Sequence, residues 1–113
     1  MAKEGTSRYY SHKQELAVSK LLDGKLVSNS GAARHCVGDV IASDFLIECK
    51  TCEKPKQSFS IKKSWLEKNE RERKDALLPY STLAFSFGED EPNYFILDER
   101  TFKVLYELLK NNN

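Results

Sequence analysis

Gly38-Asp39-Val40-Ile41-Ala42-Ser43-Asp44-Phe45-Leu46-Ile47-Glu48-Cys49-Lys50-Thr51 is the stretch on which the reading of the fold turns. Two β-prone apolar runs, 40–42 and 45–47, flank the polar pair Ser43-Asp44, the pattern of two antiparallel strands joined by a tight turn. Asp39 opens the first strand. Glu48 and Lys50 lie two apart on the second and share a face, while Ile47 and Cys49 take the other. Two carboxylates and an ammonium therefore converge. Carboxylates at the inner ends of hydrophobic strands need their lost hydration replaced, and a hard divalent cation is the usual replacement. A lysine beside them opposes crowding by a second metal and can hold a water or a phosphate, which suits metal-assisted phosphodiester hydrolysis. The competing reading is an ordinary solvated strand end.

Length and composition bound the rest. The chain has 113 residues, of which 40% are hydrophobic and 31% charged, as expected of one globular domain spanning 1–113 with loose ends at 1–7 and 111–113. No apolar run approaches the roughly 18 residues of a membrane span, and Met1-Ala2-Lys3-Glu4-Gly5 lacks the apolar core of a signal peptide. The expectation is a cytoplasmic protein, in the host cytoplasm if the source is viral, with no membrane partner. Three cysteines, Cys36, Cys49 and Cys52, are an odd number and point to reduced thiols. A net charge of +1 conceals an uneven distribution: nine basic against four acidic residues from Lys50 to Lys74, and five acids with no base from Gly88 to Glu99. Such asymmetry gives one face suited to phosphates and another turned away from them. A solvated helix with Glu67–Arg71 and Glu70–Lys74 pairs explains the same residues.

Taken in order, Ser11 to Asp23 places Leu16, Ala17, Leu21 and Leu22 at helical spacing, with Ser11 as N-cap and Gly24 as C′. Periodicity alone makes Glu15 a first-turn glutamate complementing the helix dipole. Lys25–Ser28 reads as a short strand, and Asn29 to Cys36 as a small-residue loop in which Ser30 and Arg34 are either phosphate contacts or an ordinary turn residue and a solvated arginine. After the hairpin, Lys54-Pro55-Lys56 breaks the strand. Ser58–Ile61 is a third strand or a lead into a helix capped by Ser60, and Lys62–Leu78 is one charged helix anchored by Trp65, Leu66, Ala76 and Leu77 and ended by Pro79. Ser81–Phe87 and Tyr94–Leu97 read as strands around the turn 88–93. Asp98 caps a last helix, Glu99–Lys110, whose Phe102, Leu105, Tyr106 and Leu109 follow the i, i+3, i+4, i+7 pattern. The expected class is α/β, a central mixed sheet flanked by helices.

Asp39 followed nine residues on by Glu48-x-Lys50 resembles the core motif of the PD-(D/E)xK nucleases, with Gly38 in place of the proline. Glu15 in a first helix, Ser30-Gly31 in a loop, Asp39, Glu48-x-Lys50, a basic helix and Leu83-Ala84-Phe85 together resemble the archaeal-type Holliday junction resolvases and their phage relatives over residues 8 to 97. The resemblance implies a restriction-endonuclease-like fold. It further implies that Glu15, Asp39, Glu48 and Lys50 form the acidic site with Ser30 as catalytic-loop serine. Asp39, Glu48 and the Cys49 backbone carbonyl would hold Mg²⁺, which Mn²⁺ replaces, with Glu15 acting through water. The substrate would be branched or duplex DNA, met by Arg8, Arg34, Lys54, Lys56, Lys62 and Lys63, and the working form a homodimer. Tyr9, Tyr10 and His12 stand where relatives carry further basic residues, and the acidic turn Glu89–Glu91 has no counterpart. A nuclease for other DNA forms is therefore the nearest alternative.

Two readings from other classes stay open. Cys49-x-x-Cys52 after His35-Cys36 is a zinc or redox pattern, opposed by strand parity, which sends Cys49 and Cys52 to opposite faces if the strand runs through Thr51. A DNA-binding protein without catalysis is the other.

Overall fold

The computed structural model describes residues 7–27 and 39–112. Its elements are α1 (Ser7–Leu22), β1 (Lys25–Leu26), β2 (Val40–Ala42), β3 (Phe45–Lys50), α2 (Lys63–Asp75), β4 (Tyr80–Ser86), β5 (Asn93–Ile96) and α3 (Glu99–Asn111). The strands form one sheet in the order β1-β2-β3-β4-β5. Neighbours are antiparallel except β3 and β4, which pair in parallel with Ile47 opposite Thr82 and Glu48 opposite Leu83. Parallel neighbours need a crossover, and α2 supplies it. The result is an α/β fold with a five-stranded mixed sheet and three helices.

The hairpin is as the apolar runs require: Val40 faces Ile47, Ala42 faces Phe45, and Ser43 turns the chain at φ +51°. Alternation then sorts the two faces. Val40, Ala42, Ile47 and Ala84 pack with Val18 of α1 into a buried cluster, and Phe45 and Cys49 lean on it. Leu46 and Leu83, on the opposite face, are fully buried on the side of α2. Glu48 and Lys50 share that face.

Several boundaries differ from those expected, each for a local reason. Helix α1 runs from Ser7, so Ser11 is interior and Glu15 lies in the third turn; the first turn holds no acid. Asp23, not Gly24, takes the left-handed conformation at the helix end, φ +52°. Gly24 is needed for room: a Cβ there would lie 2.8 Å from the Ile41 carbonyl oxygen and 2.9 Å from the Ala42 Cβ. β1 is two residues long, and Ser58–Ile61 is the irregular lead into α2, not a strand. Lys62 is the N-cap of α2 and offers no side-chain bond. At the other end Leu77 adopts φ +59° and is 89% exposed, so it closes the helix instead of anchoring it. Arg73 Nη1 donates to the Leu78 carbonyl at 2.9 Å across the same turn.

The buried residue on α2 is polar: Asn69 Nδ2 donates to the Thr82 carbonyl at 2.9 Å. Its ion pairs are Lys68–Glu72 and Glu70–Arg73, not the two the spacing suggested. Asp98 caps α3, Oδ1 accepting from the Thr101 N–H at 2.8 Å. The acidic turn is tied down, since Lys13 Nζ reaches Glu89 at 2.6 Å and Asp90 at 3.4 Å. Among the described residues no helix is long and apolar enough to cross a membrane.

Candidate active site

Asp39 is locked before β2 by its own backbone, whose N–H donates to the Ile47 carbonyl at 2.9 Å. Its Oδ2 accepts from the Cys49 N–H at 2.7 Å, so the carboxylate is aimed at the β3 backbone between Glu48 and Lys50. Glu48 is 9% exposed. Lys50 Nζ lies 3.6 Å from Glu48 Oε2 and 4.5 Å from the ring centre of Trp65, the residue that α2 extends over this end of the sheet. A cation held between a carboxylate and an indole face has few other places to go.

Glu15 arrives from α1, and its neighbour explains how. The buried Gln14 Nε2 donates to the Lys50 carbonyl and to Asn93 Oδ1, each at 2.9 Å, and reaches the Ala84 carbonyl at 3.3 Å. These bonds pin α1 across the ends of β3, β4 and β5. With Gln14 pinned, Glu15 comes close enough to the Asp39 carboxyl for the two to act on each other.

Burial raises the Glu15 carboxyl to about 7, and the charges of Asp39 and Glu48 push the same way while Arg8 opposes them. Asp39 is also raised, again chiefly by burial, against the Cys49 N–H and the charges of Lys50 and Lys68. Glu48 is raised by burial and by Asp39, with Lys68 and Lys50 opposing. Three carboxylates, each raised by burial, thus share too little positive charge, and Glu15 is raised as far as about 7. The donor set fits a hard divalent cation in kind: carboxylate oxygens that burial and mutual repulsion drive toward protonation, the condition a cation relieves. Among the described residues no three His, Cys, Asp or Glu side chains are already drawn together to metal-holding distance. Glu48 interacts with Asp39 through charge, without a side-chain bond.

The residues expected to meet DNA divide. Lys54, Lys56 and Lys62 line an open basin of about 720 Å³ with Phe59 and Trp65, so the basin and the carboxylates meet at Trp65. Lys62 Nζ stands 5.7 Å from the same ring. Lys63 instead borders a separate hollow with Glu67, Glu70 and Asp98. Arg8 is exposed on α1 and acts on Glu15 through charge. Ser30 and Arg34 lie outside the described residues, as do Cys36 and His35.

Sequence reasoning missed Lys68, whose charge reaches both Asp39 and Glu48, and Glu72, which acts on Glu48. It also read Trp65 only as an anchor. Trp65, Lys68 and Glu72 stand at i, i+3 and i+7, so the helix face opposite Lys50 was readable once Trp65 was assigned to it.

The cysteine pattern has a different explanation. β3 ends at Lys50, so strand parity does not extend to Cys52. Cys52 is a buried free thiol whose Sγ donates to the Ser86 carbonyl at 3.6 Å, and Cys49 is a free thiol pushed far up by burial. Burial and the neighbouring carboxylates hold Cys49 as the neutral thiol, and Cys52 is turned to the Ser86 carbonyl.

The chain matches no protein-family model, no curated protein and no solved structure.

Proposed function

We propose that this chain is a metal-dependent endodeoxyribonuclease with a restriction-endonuclease-like fold, acting on branched DNA. The observation that carries the reading is the approach of Glu15 to Asp39. Periodicity made Glu15 a helix-dipole glutamate, yet α1 brings it within interaction range of the aspartate that precedes Glu48-x-Lys50. An incidental solvated strand end has no reason to collect a third carboxylate, because each added one raises the others.

In this reading Asp39, Glu48 and the Cys49 carbonyl hold Mg²⁺ or Mn²⁺, with Glu15 acting through water. The ion when bound supplies Lewis-acid polarisation of the phosphoryl group and an acidified water. The chain's own residues do the rest. The Cys49 N–H holds the Asp39 carboxylate in orientation, and Lys50, steadied by Trp65, presents an ammonium where negative charge grows on phosphorus-bound oxygen. Glu15 holds a proton at its carboxyl close to neutral pH, which suits transfer to or from water. Lys54, Lys56 and Lys62 attract the phosphate backbone toward Trp65. A cytoplasmic setting accords with this substrate.

The test is cleavage of a labelled four-way junction, beside duplex and single-stranded controls, with Mg²⁺ or EDTA. Paired nicks near the branch point that require the metal, and that fall at least about 1,000-fold with Glu48→Ala, are the expected result. Metal-dependent cutting of other forms instead keeps the nuclease and removes the junction. Binding without cutting under several metals overturns the enzyme.

A further inference from the structure

Between β3 and α2 the chain runs without regular structure from Thr51 to Lys62, yet the stretch is held at several points. The Lys56 N–H donates to the Phe87 carbonyl at 2.9 Å, and Cys52 Sγ to the Ser86 carbonyl at 3.6 Å. Gly88 leaves room for Pro55, whose Cα would lie 2.9 Å from a Cβ there. Phe59 is backed by Phe85 at 5.4 Å and Phe87 at 6.4 Å, with Trp65 beside it at 6.3 Å. The basin these residues shape is therefore preformed. It is an open hollow of about 720 Å³ that brings two half-buried rings, Phe59 and Trp65, beside Lys54, Lys56 and Lys62, against one acid, Glu53. Among the described residues none of the three lysines has an ion pair.

We propose that the basin captures unpaired nucleotides of a single strand, with a base laid against Trp65 and Phe59 and the phosphates on Lys54, Lys56 and Lys62. Rings and ammoniums together point to this ligand. A duplex hides its base faces in its own stack and offers phosphates and groove edges, which would engage the lysines and leave the rings idle. An unpaired strand presents a π-face and a phosphate at every step. The basin falls within the roughly 300–1,000 Å³ of clefts that enclose drug-sized ligands, a class to which a nucleotide belongs by size. Lys62 is exposed and stands 5.7 Å from the Trp65 ring, a loose contact that a base replaces while the ammonium turns to the adjoining phosphate. Lys50 stands 4.5 Å from the same ring, so a strand seated in the basin leads to the carboxylates. Capture stands on the basin alone. Its consequence for cleavage rests on the nuclease reading: among branched substrates, one with an unpaired arm at the cut is cleaved faster than one fully paired.

The test needs no cleavage and is run in EDTA. Trp65 is the single tryptophan, so its emission reports on the basin. A 5′-phosphorylated tetrathymidylate should quench that emission, and the abasic tetranucleotide, which keeps the phosphates and lacks the bases, should bind at least about 5-fold more weakly. Lys54→Ala with Lys56→Ala should weaken both probes and lower the slope of log K against log salt by roughly 1.4, at about 0.7 per phosphate. Phe59→Leu, its fold checked by circular dichroism, should weaken the tetrathymidylate and leave the abasic probe within about twofold. Should that variant not fold, the abasic comparison on the wild-type chain still decides. Equal affinity for the two probes, equal quenching by a blunt duplex, or displacement of the tetrathymidylate by polyglutamate as readily as by more tetrathymidylate would each overturn the proposal. A chain that captures the tetrathymidylate and cuts no DNA with Mg²⁺ keeps the basin and loses the nuclease. One that cuts branched DNA and binds both probes alike keeps the nuclease and loses the basin.

Discussion

Helices α2 and α3 are both thirteen residues long and attach to the sheet by opposite means. Nine of the thirteen residues of α2 are charged, yet the helix seats through one buried amide, Asn69 on the Thr82 carbonyl, and brings Trp65 and Lys68 to the carboxylates. α3 has the better apolar stripe and leaves most of it in solvent. Amphipathicity states what a helix can bury, not what it does bury. Here the polar helix reaches the carboxylates, and the apolar one leaves its stripe in solvent.

The sharpest way to break this contrast is at Trp65. If α2 steadies Lys50, Trp65→Leu should lower cleavage of DNA by about 10- to 100-fold, and Trp65→Phe should restore it to within about threefold, because a ring face is what the ammonium needs. As Trp65 is the single tryptophan, Lys50→Met should also shift its emission in the absence of DNA. An unchanged spectrum would return Trp65 to the role of a packing anchor.

Seating is tested next, by urea unfolding. Asn69→Ala removes the bond to the Thr82 carbonyl and should cost about 2 kcal/mol. Phe102→Ala, at an exposed position, should change stability by less than about 0.5 kcal/mol. Equal costs would erase the distinction between the helices.

A smaller effect follows from Glu15. Its carboxyl is raised from 4.5 to about 7 in the folded chain, so between those values the native state binds more protons than the unfolded one. The stability this contributes is complete below 4.5 and is lost as pH rises through about 7. Without metal, Glu15→Gln should therefore match the wild type near pH 4.5 and exceed it at pH 8 by about 1 kcal/mol or more, read from urea midpoints. A variant less stable than the wild type at pH 8 would mean that burial does not load this site.

The finest prediction separates two adjacent lysines at the head of α2. Lys62 lines the basin beside Trp65 and Lys63 does not, so Lys62→Ala should reduce the slope of log K for DNA against log salt by roughly 0.9, and Lys63→Ala should leave it unchanged. Equal reductions would place DNA across both hollows.

The hairpin, its turn and the face shared by Glu48 and Lys50 were legible in the chain because they depend on alternation over a few residues and on one pair of turn formers. The last helix was legible for the same reason: Asp98 and the Phe102–Leu109 periodicity are local. Boundaries went astray where packing overrode the local signal, as at Gly24, kept for room against β2, and Leu77, turned outward to end α2. Only the tertiary structure decided that Gln14 pins α1 so that Glu15 meets Asp39, that Trp65 and Lys68 face the carboxylates, and that Lys62 and Lys63 part company. The physical reason is that periodicity marks which side of an element is apolar or charged, whereas what stands opposite is set by contacts between residues tens of positions apart. The apolar stripe of α3 shows the same division: its existence is written in the sequence, and its exposure is a property of the fold.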